Sequence, residues 1–564
     1  MVEHDLFGEK PSPQTPRNKK THSPVFKPYT QNQPMLLPIE LEELIPKNHM
    51  VRVVNDTIDN LNVEPLLSTY KGGGTSAYHP VMLLKVLIYA YISKIYAVRS
   101  IAKALRENVY FMWLSGTNTP DFRTINEFRS GRLRKVIEDV FTSMVIFLSD
   151  NNYVTLEDYF IDGSKFRANA NKHKVVWAKN TKRYKENVTK KINELLDYID
   201  TLNEEDDKRF ADRDLAELGQ ESTLTSEKVK EQAEKLNTLI EQVQENTESS
   251  PQKETPSEKN DSSSVEENDN NRMQKKTLKR LKSLHKTLKE KLLPKLEKYE
   301  QQESLLGGRN SYSRTDTSAT FFRRKDGSLL PSYNTIVGSQ NQFILHYTFH
   351  QQKGSETDAF IPHMSAYYER YCSYPLRVIG DAAYGSEENY TFLAAKKIGN
   401  YLKYPDYYKE QKKKHQDNLY TKDKFLYDAE TDTYLCPQER TLSFKKTKEV
   451  KTANGYVAQV RVYQSDDCSD CPVAVQCKRT PGNRTIQVNR TLETYRSQAR
   501  TNLSSLKGAL LRILRNIDIE TVFGDLKFNH NYERFRLRGE EKVNAEFGLL
   551  AMAHNTKKLA LWTT

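Results

Sequence analysis

The sequence predicts a mixed α/β protein whose core is interrupted twice by insertions. Strand-like segments lie at 157–162 and 331–350, and a third segment, PLRVIGD, ends at Asp381. Between the first two of these, residues 184–299 carry apolar side chains at helical spacing within a highly charged stretch, which indicates a helical insertion. Helical periodicity resumes at 505–527, after a second insertion, and this order favours one core built from separated pieces of the chain.

Composition narrows the class of protein. The 564 residues include 86 Lys and Arg against 74 Asp and Glu, a formal charge of +12, which points first to nucleic acid and second to an acidic membrane surface. No apolar run approaches the roughly 18–20 residues of a membrane span, and the first ten residues lack the apolar stretch of a secretory signal. Five cysteines form no disulfide framework and fit a reducing compartment, so we expect a cytoplasmic protein with no membrane partner.

The first part of the chain is expected to form a polar disordered tail at 1–34 and a helical domain at 35–154. Residues 80–95 form a long apolar helix with Pro80 in its first turn, and two shorter helices follow, with Ser100 and Asp121 as N-caps. The last of these helices is rich in arginine. It resembles the second helix of a helix-turn-helix, or else a small bundle with a solvated basic face, and its candidate DNA-binding residues are Arg123, Arg129, Arg132 and Arg134.

The rest of the chain divides by composition. The expected segments are a first part of the core at 155–183, a charged helical insertion at 184–305 with a disordered hinge near 246–272, a second part of the core at 306–404, a cysteine-rich insertion at 405–500, and the last helices of the core at 501–564. Two interpretations of the charged insertion remain open. It is either a coiled-coil arm for dimerisation or a helical hairpin that packs on its own chain.

Three carboxylates are candidates for a metal site. Asp162 and Asp381 end predicted strands, and Glu520 lies in the middle of a predicted helix. Carboxylates gathered in this way suit two Mg²⁺ ions, since hard cations prefer oxygen ligands and leave positions open for water and phosphate. An aspartate at a strand end is also a common turn-former or helix cap, so the pattern alone leaves both readings open.

Four segments carry a family resemblance: IDGSKFRANANKHKVVW, YSRTDTSATF, VIGDAAYGSEENY and IETVFGDLKFNHNYERFRLRG. They resemble the DDE transposases of bacterial insertion sequences that have an InsH-type helical N-terminal domain. The resemblance covers roughly residues 36–180 and 308–562 and implies an RNase H-like catalytic core. In it, Asp162 would be the first-strand carboxylate, Asp381 the fourth-strand one and Glu520 the helical one, together holding Mg²⁺ or Mn²⁺.

The resemblance also implies basic residues beside the glutamate. The family's lysine one helical stretch after it matches Lys527, which seven residues, or about two turns, place on the same face as Glu520. Relatives carry a basic residue shortly before the glutamate, where this chain has Asn516, with Arg515 and Arg512 nearby. Arg515 is therefore added to the candidate DNA-binding residues.

The loop after the catalytic helix alternates basic and apolar side chains. Arg534, Arg536 and Arg538 alternate with Phe535 and Leu537, a spacing that offers phosphate contacts and resembles the family's RF-x-L-RG segment. An edge strand with one charged face would show the same alternation.

The function implied is a transposase that binds the terminal inverted repeats of its own insertion sequence, hydrolyses DNA at the element's ends and joins the freed 3′-OH to target DNA. Two ends need two active sites, so we expect a homodimer on double-stranded DNA, in the nucleoid of a bacterial cytoplasm. Two alternatives stay open: a DNA-binding regulator or domesticated relative without catalysis, and an RNase H-like nuclease without strand transfer.

The second insertion contains a cysteine cluster. Cys468, Cys471 and Cys477 lie in DDCSDCPVAVQCKR, and Cys436 precedes them by thirty-two residues. Four thiolates can complete a structural Zn²⁺ site with no ligand position left open, and free thiols in a small β-rich insert are the alternative. Cys372 stands apart, and we expect it to be a buried small hydrophobe.

Overall fold

The computed structural model describes residues 40–70, 77–207, 224–248, 263–324, 326–352, 355–452, 454–478 and 481–563. The tail predicted at 1–34 lies outside these residues. The chain forms two compact units, Met1–Pro46 and Lys47–Thr564. In the first unit the described residues contain a 3₁₀ turn at Leu41–Leu44. The numbered helices and strands all belong to the second unit.

Helices make up most of the second unit. They are α1 Met50–Asp59, α2 Glu64–Leu67, α3 Pro80–Ile92, α4 Val98–Glu107, α5 Val109–Leu114, α6 Phe122–Glu127, α7 Ile137–Asp150, α8 Ala178–Asp207, α9 Ser226–Glu248, α10 Ser263–Thr287, α11 Leu293–Leu306, α12 Glu356–Tyr371, α13 Glu387–Ala395, α14 Tyr407–Glu410, α15 Lys413–Gln416, α16 Ala474–Cys477, α17 Arg490–Ser504, α18 Leu506–Gly524 and α19 Glu540–Thr563.

The strands form three sheets. They are β1 Asp158–Arg167, β2 Val175–Trp177, β3 Ser311–Ser313, β4 Thr320–Arg323, β5 Leu329–Gln340, β6 Phe343–Phe349, β7 Arg377–Gly380, β8 Gly399–Leu402, β9 Leu426–Asp428, β10 Thr433–Leu435, β11 Thr441–Lys451, β12 Val457–Ser465 and β13 Thr485–Val488. The structure is 55% helix and 17% strand, which confirms the predicted mixed α/β class.

The central sheet has β1 in its middle. Its order is β4-β5-β1-β7-β8, and β6 pairs with β5 on the side away from β1. Strands β1, β7 and β8 are parallel, whereas β5 is antiparallel to β1. The hairpin between β5 and β6 turns at Asn341 and Gln342, which have φ of +53° and +66°. The sequence placed this turn correctly, at GSQNQ.

Two local predictions in the core are wrong. Strand β1 does not end at Asp162 but continues to Arg167, because Gly163 and the residues after it pair with β5. Cys372 is exposed rather than buried. It follows the last turn of α12 in a left-handed conformation, with φ of +53°, where the chain leaves the helix.

The helices α1 to α7 precede the sheet. Pro80 is the first residue of α3, and the Asp121 side chain caps α6 by accepting from the Thr124 amide at 2.8 Å, so both predictions are confirmed. The prediction that Ser100 caps a helix is wrong. Helix α4 begins two residues earlier, at Val98, so Ser100 lies inside it.

Two long helices hold the second unit together. Helix α18 packs on β1, β5 and β7, and α19 packs on α3, α7 and β6. The Tyr96 hydroxyl, from the segment after α3, donates to the carbonyl of His530. The helical region is thus joined to the end of the chain. No described helix is long and apolar enough to cross a membrane.

The charged insertion has its own apolar core. Helices α8 to α11 contribute to it, and its buried residues extend from Val188 to Leu296. Of the hinge predicted near 246–272, residues 249–262 lie outside the described part. The described residues are helical rather than disordered, since 246–248 end α9 and 263–272 begin α10. Only Glu266, Glu267 and Arg272 among these ten residues are good helix formers, so intrinsic propensity does not account for this part of α10. The packing of these helices on one another favours the interpretation of a hairpin on its own chain.

Candidate active site

Asp162 lies in the middle of strand β1, just beyond its parallel pairing with β7. That pairing ends at Phe160, so Asp162 lies two residues beyond the last pair between β1 and β7. The Gly163 amide donates to its Oδ1 at 2.9 Å. Burial raises the pKa of the Asp162 carboxyl, and the charge of Arg515 opposes this rise.

Asp381 directly follows β7, the strand next to β1. Its Oδ1 lies 3.5 Å from Nζ of Lys403, a buried lysine just after β8. The Lys403 ammonium also donates to the Tyr408 hydroxyl at 2.6 Å. The Lys403 ammonium therefore fixes one side of the Asp381 carboxylate.

Glu520 reaches the same place from helix α18. Its side chain is about half exposed, and its Oε1 accepts from Nη1 of Arg515 at 3.1 Å. Arg515 precedes it by five residues on the helix, and the two side chains meet above the sheet because α18 packs on β1 and β7.

Arg515 joins the three carboxylates. Its Nη2 lies 3.6 Å from Oδ2 of Asp162 and 4.0 Å from Oδ2 of Asp381, while Nη1 binds Glu520. The arginine is only 3% exposed, and its Nε has no hydrogen-bond partner among the described residues. Three acidic side chains from distant parts of the sequence thus converge on one buried guanidinium.

Glu356 is a fourth carboxylate at this place, and sequence reasoning missed it. It lies in the first turn of α12 with its side chain against Gly163. Burial raises the pKa of Glu356, and the charge of Asp162 raises it further. Nothing in its local sequence, SETDAF, distinguishes it from an ordinary helix-start glutamate.

Lys527 follows α18 in a wider helical turn at Asp525–Asn529. Its ammonium donates to the Ser164 hydroxyl and lies 4.9 Å from the centre of the Phe166 ring. Both partners are on β1, two and four residues after Asp162. The lysine is therefore fixed on the strand that carries the first carboxylate, and its catalytic role stays a prediction.

The donor set suits a divalent cation in chemistry and charge. Carboxylate oxygens are the preferred ligands of Mg²⁺ and Mn²⁺, and these carboxylates already attract one buried cation, the Arg515 guanidinium. As the described side chains now stand, no group of three His, Cys, Asp or Glu residues could hold a metal ion. Binding a metal would require the guanidinium to withdraw so that the carboxylates close in.

The prediction that Arg129 contacts DNA is wrong. Arg129 is 3% exposed, and its guanidinium donates to the Tyr96 carbonyl at 3.1 Å and faces the Tyr91 hydroxyl at 3.4 Å. A buried arginine used inside the helical region cannot form part of a DNA-binding surface. Arg515 is likewise buried in the carboxylate cluster rather than on an outer surface.

The other arginines of the helical region are more accessible. Arg123 is exposed, whereas Arg132 donates to the Thr69 carbonyl at 2.9 Å and Arg134 lies 3.1 Å from Glu541. Their contact with DNA stays a prediction.

The loop after the candidate site gathers positive charge. Arg534, Arg536 and Arg538 are exposed, and Phe535 between them is buried. The backbone of Arg534 forms an isolated parallel β-bridge with that of Arg167, at the end of β1. Burial and then the nearby charges of Arg167, Arg536 and Arg538 lower the pKa of Arg534, so four like charges lie close together. Arg167 has an acidic partner, Glu533, at 3.8 Å.

The cysteines also converge. Cys436, Cys468, Cys471 and Cys477 line one small cavity beside the sheet of β9 to β13. The Arg440 amide donates to Sγ of Cys436 at 3.3 Å and the Arg484 amide to Sγ of Cys468 at 3.4 Å. Glu439 makes the turn after Cys436 with φ of +56°. The thiols fit zinc in donor type, and structural Zn²⁺ stays a prediction because the described side chains are not in a metal-holding arrangement.

The mixed sheet and its acidic residues are consistent with an RNase H-like core of the DDE class. Two families match the chain: residues 435–560 match the transposase DDE domain, and residues 39–131 match a transposase domain, DUF772. Both matches support a DDE transposase of insertion-sequence type. The DDE match includes Glu520 and the cysteines but not the strands that carry Asp162 and Asp381. No curated protein and no solved structure matches the chain.

Proposed function

We propose that this transposase binds the terminal inverted repeats of its own insertion sequence, cleaves the DNA at those ends and transfers the freed 3′-OH to target DNA. The observation that carries the proposal is the convergence of Asp162, Asp381 and Glu520 on one guanidinium, with no separation greater than 4.0 Å. Carboxylates from two neighbouring strands and a covering helix are what metal-dependent phosphodiester chemistry needs.

Asp162, Asp381 and Glu520 would hold the divalent cations. When bound, these ions would activate the attacking oxygen and stabilise the leaving one. The chain's own part is to orient the DNA backbone. Lys527 is fixed on β1 by Ser164, close to Asp162, so its ammonium can bind a phosphate next to the cleaved bond.

The exposed arginines extend this positive surface. Arg534, Arg536 and Arg538 follow the catalytic helix in the chain and lie beside Arg167 on the end of β1. Contacts of this kind with phosphates position a duplex without reading its sequence. Recognition of the inverted repeats is assigned to the helical region, through Arg123, Arg132 and Arg134. Because two ends must be processed, we infer a homodimer in the complex with DNA.

The test is cleavage of DNA that carries the sequences flanking this reading frame. In Mg²⁺, wild-type protein should cut at the element's ends, and Glu520→Gln should cut roughly 1000-fold more slowly, since several kcal/mol of metal-dependent stabilisation would be lost. DNA binding, measured by gel shift, should be retained. The matched control is Glu369→Gln, an exposed glutamate on α12, which should cut like wild type.

Other outcomes decide against the proposal. Equal cleavage by wild type and Glu520→Gln would remove Glu520 from the active site. Binding by both proteins with cleavage by neither would indicate a DNA-binding relative without catalysis. Cut ends that are never joined to target DNA would indicate a nuclease.

A further inference from the structure

Glu356 is held tightly against the strand that carries Asp162. A methyl group on Gly163 would lie 3.1 Å from Oε1 of Glu356 and 3.2 Å from its Cγ and Cδ. Such separations are closer than ordinary van der Waals contact. The side chain thus lies along the backbone of Gly163, and a Cβ at position 163 would force the Glu356 side chain to shift.

The start of α12 is fixed from the other side of the site. The Thr357 hydroxyl donates to the Ala383 carbonyl at 2.5 Å, and the Asn389 amide group donates to the Thr357 carbonyl at 3.1 Å. Ala383 lies two residues after Asp381. The backbone that carries Glu356 is therefore attached to the Asp381 loop, while its side chain reaches β1.

The carboxylate of Glu356 has no direct partner. It is partly buried, yet among the described residues no hydrogen bond and no ion pair within 4.0 Å reaches it. Asp162, Asp381 and Glu520 each contact Arg515, whereas Lys165 and Arg515 act on Glu356 only as more distant charges. The burial of Glu356 is only partial, but no donor replaces the water that its carboxylate has lost, and a cation that binds there would compensate for this cost.

We propose that Glu356 is a fourth carboxylate of the active site and is a ligand of the divalent cation held by Asp162. The proposal rests on the proposed function, since it concerns the same metal site. A second observation points to a cation at this place: the Arg515 guanidinium, 3% exposed and with its Nε unpartnered among the described residues, is already drawn into the cluster. Glu356 is the carboxylate that this guanidinium leaves without a contact.

The experiment measures Mn²⁺ binding to the full-length protein without DNA, by isothermal titration calorimetry and by the electron paramagnetic resonance signal of free Mn²⁺. Glu356→Gln keeps the shape of the side chain and removes its charge. We expect it to weaken Mn²⁺ binding by at least about tenfold, the effect of losing a metal-site carboxylate. The matched control is Asp358→Asn, which removes one charge from the same first turn of α12 and should bind like wild type.

The outcomes separate this inference from the proposed function. If Asp162→Asn abolishes Mn²⁺ binding while Glu356→Gln binds like wild type, the role of Glu356 is refuted and the metal site stands. If wild type does not bind Mn²⁺, or Asp162→Asn binds it equally well, both are refuted. Should Glu356→Gln fail to fold, judged by circular dichroism, Glu356→Asp replaces it. That variant keeps the charge but shortens its reach, and the same loss of affinity is expected.

Discussion

Asp525 joins the end of α18 to α19. Its Oδ1 lies 2.9 Å from Nζ of Lys557, and its Oδ2 lies 2.9 Å from Nδ1 of His554 and 3.2 Å from Nε2 of His530. Burial acts to raise the pKa of the Asp525 carboxyl, but the close approach of His530 and the hydrogen bonds of His554 and Lys557 outweigh it and hold the pKa far below its usual range. A charge so well compensated stabilises the fold.

Replacing Asp525 with asparagine should lower the free energy of unfolding by about 2 kcal/mol at pH 7, the contribution of hydrogen bonds to a charged group. Because the folded pKa lies below the unfolded value of about 3.9, this contribution is complete above pH ~4 and declines as the pH falls further. Urea denaturation of both proteins at pH 7, 5 and 3 checks this. The difference should be equal at pH 7 and 5 and smaller at pH 3, and a difference that grows at pH 3 would contradict the assignment.

Residues were predictable where chemistry follows from local pattern. The sequence placed Asp381 after a strand and Glu520 within a helix, as the structure has them. It could not show that Arg129 is buried, because the partners of that arginine, Tyr91 and Tyr96, lie more than thirty residues away in the chain. Glu356 was missed for the same reason, since its neighbour Gly163 is brought to it only by the folding of the sheet.

The pairing of β1 with β5 depends on one close approach between side chain and backbone. A methyl group on Gly338 of β5 would lie 1.8 Å from Cζ of Tyr159, a residue of β1. Tyr159 cannot withdraw freely, since its hydroxyl lies 2.6 Å from Nε2 of His363 in α12. The glycine is therefore required by the packing of three elements around the strand that carries Asp162.

Gly338→Ala should destabilise the protein by about 3 kcal/mol, because overpacking at a site that cannot relax forces the backbone apart. Gly524→Ala is the matched control. No atom lies within 4 Å of its added methyl group, and alanine in a helix should raise stability by about 0.5–1 kcal/mol. Urea midpoints of the two variants and wild type measure both effects. An unchanged midpoint for Gly338→Ala would mean that Tyr159 can move aside.

The type of these helices and strands was predicted better than their bounds. Apolar periodicity located the strand pair at 331–350, which the structure has as β5 and β6. The end of β1 was misjudged because Gly163 reads as a strand break, whereas its ladder bonds come from β5, far along the chain. The start of helix α10, residues 263–272, was misjudged because its polar residues match disorder in composition. The last turns of α10 pack into the core of the insertion.

The charged insertion is attached to the core through one narrow connection. Strands β2 and β3 pair at its two ends, and just inside them Nζ of Lys185 lies 2.6 Å from Oε2 of Glu303. Its apolar core is made only of residues from the insertion itself. Among the described residues, the insertion thus has its own packing, separate from that of the central sheet.

Replacing residues 186–301 with a Gly/Ser linker of about four residues, enough to span two packed helices, should leave the rest of the protein folded. Far-ultraviolet circular dichroism should show less helix, while Mn²⁺ affinity should stay within about twofold of wild type, since no carboxylate of the site is removed. Loss of cooperative thermal unfolding in this variant would show that the insertion supports the core.

The central strand has consequences for how the chain is made. Strand β1 is synthesised early, yet both of its neighbours, β5 and β7, come from residues beyond 328. During synthesis on the ribosome, β1 therefore has neither partner strand while the insertion emerges and folds on itself. The carboxylates follow the same order, with Glu520 close to the end of the 564 residues. A product truncated before α18 would lack Glu520, so it could not assemble the carboxylate cluster or perform the proposed cleavage.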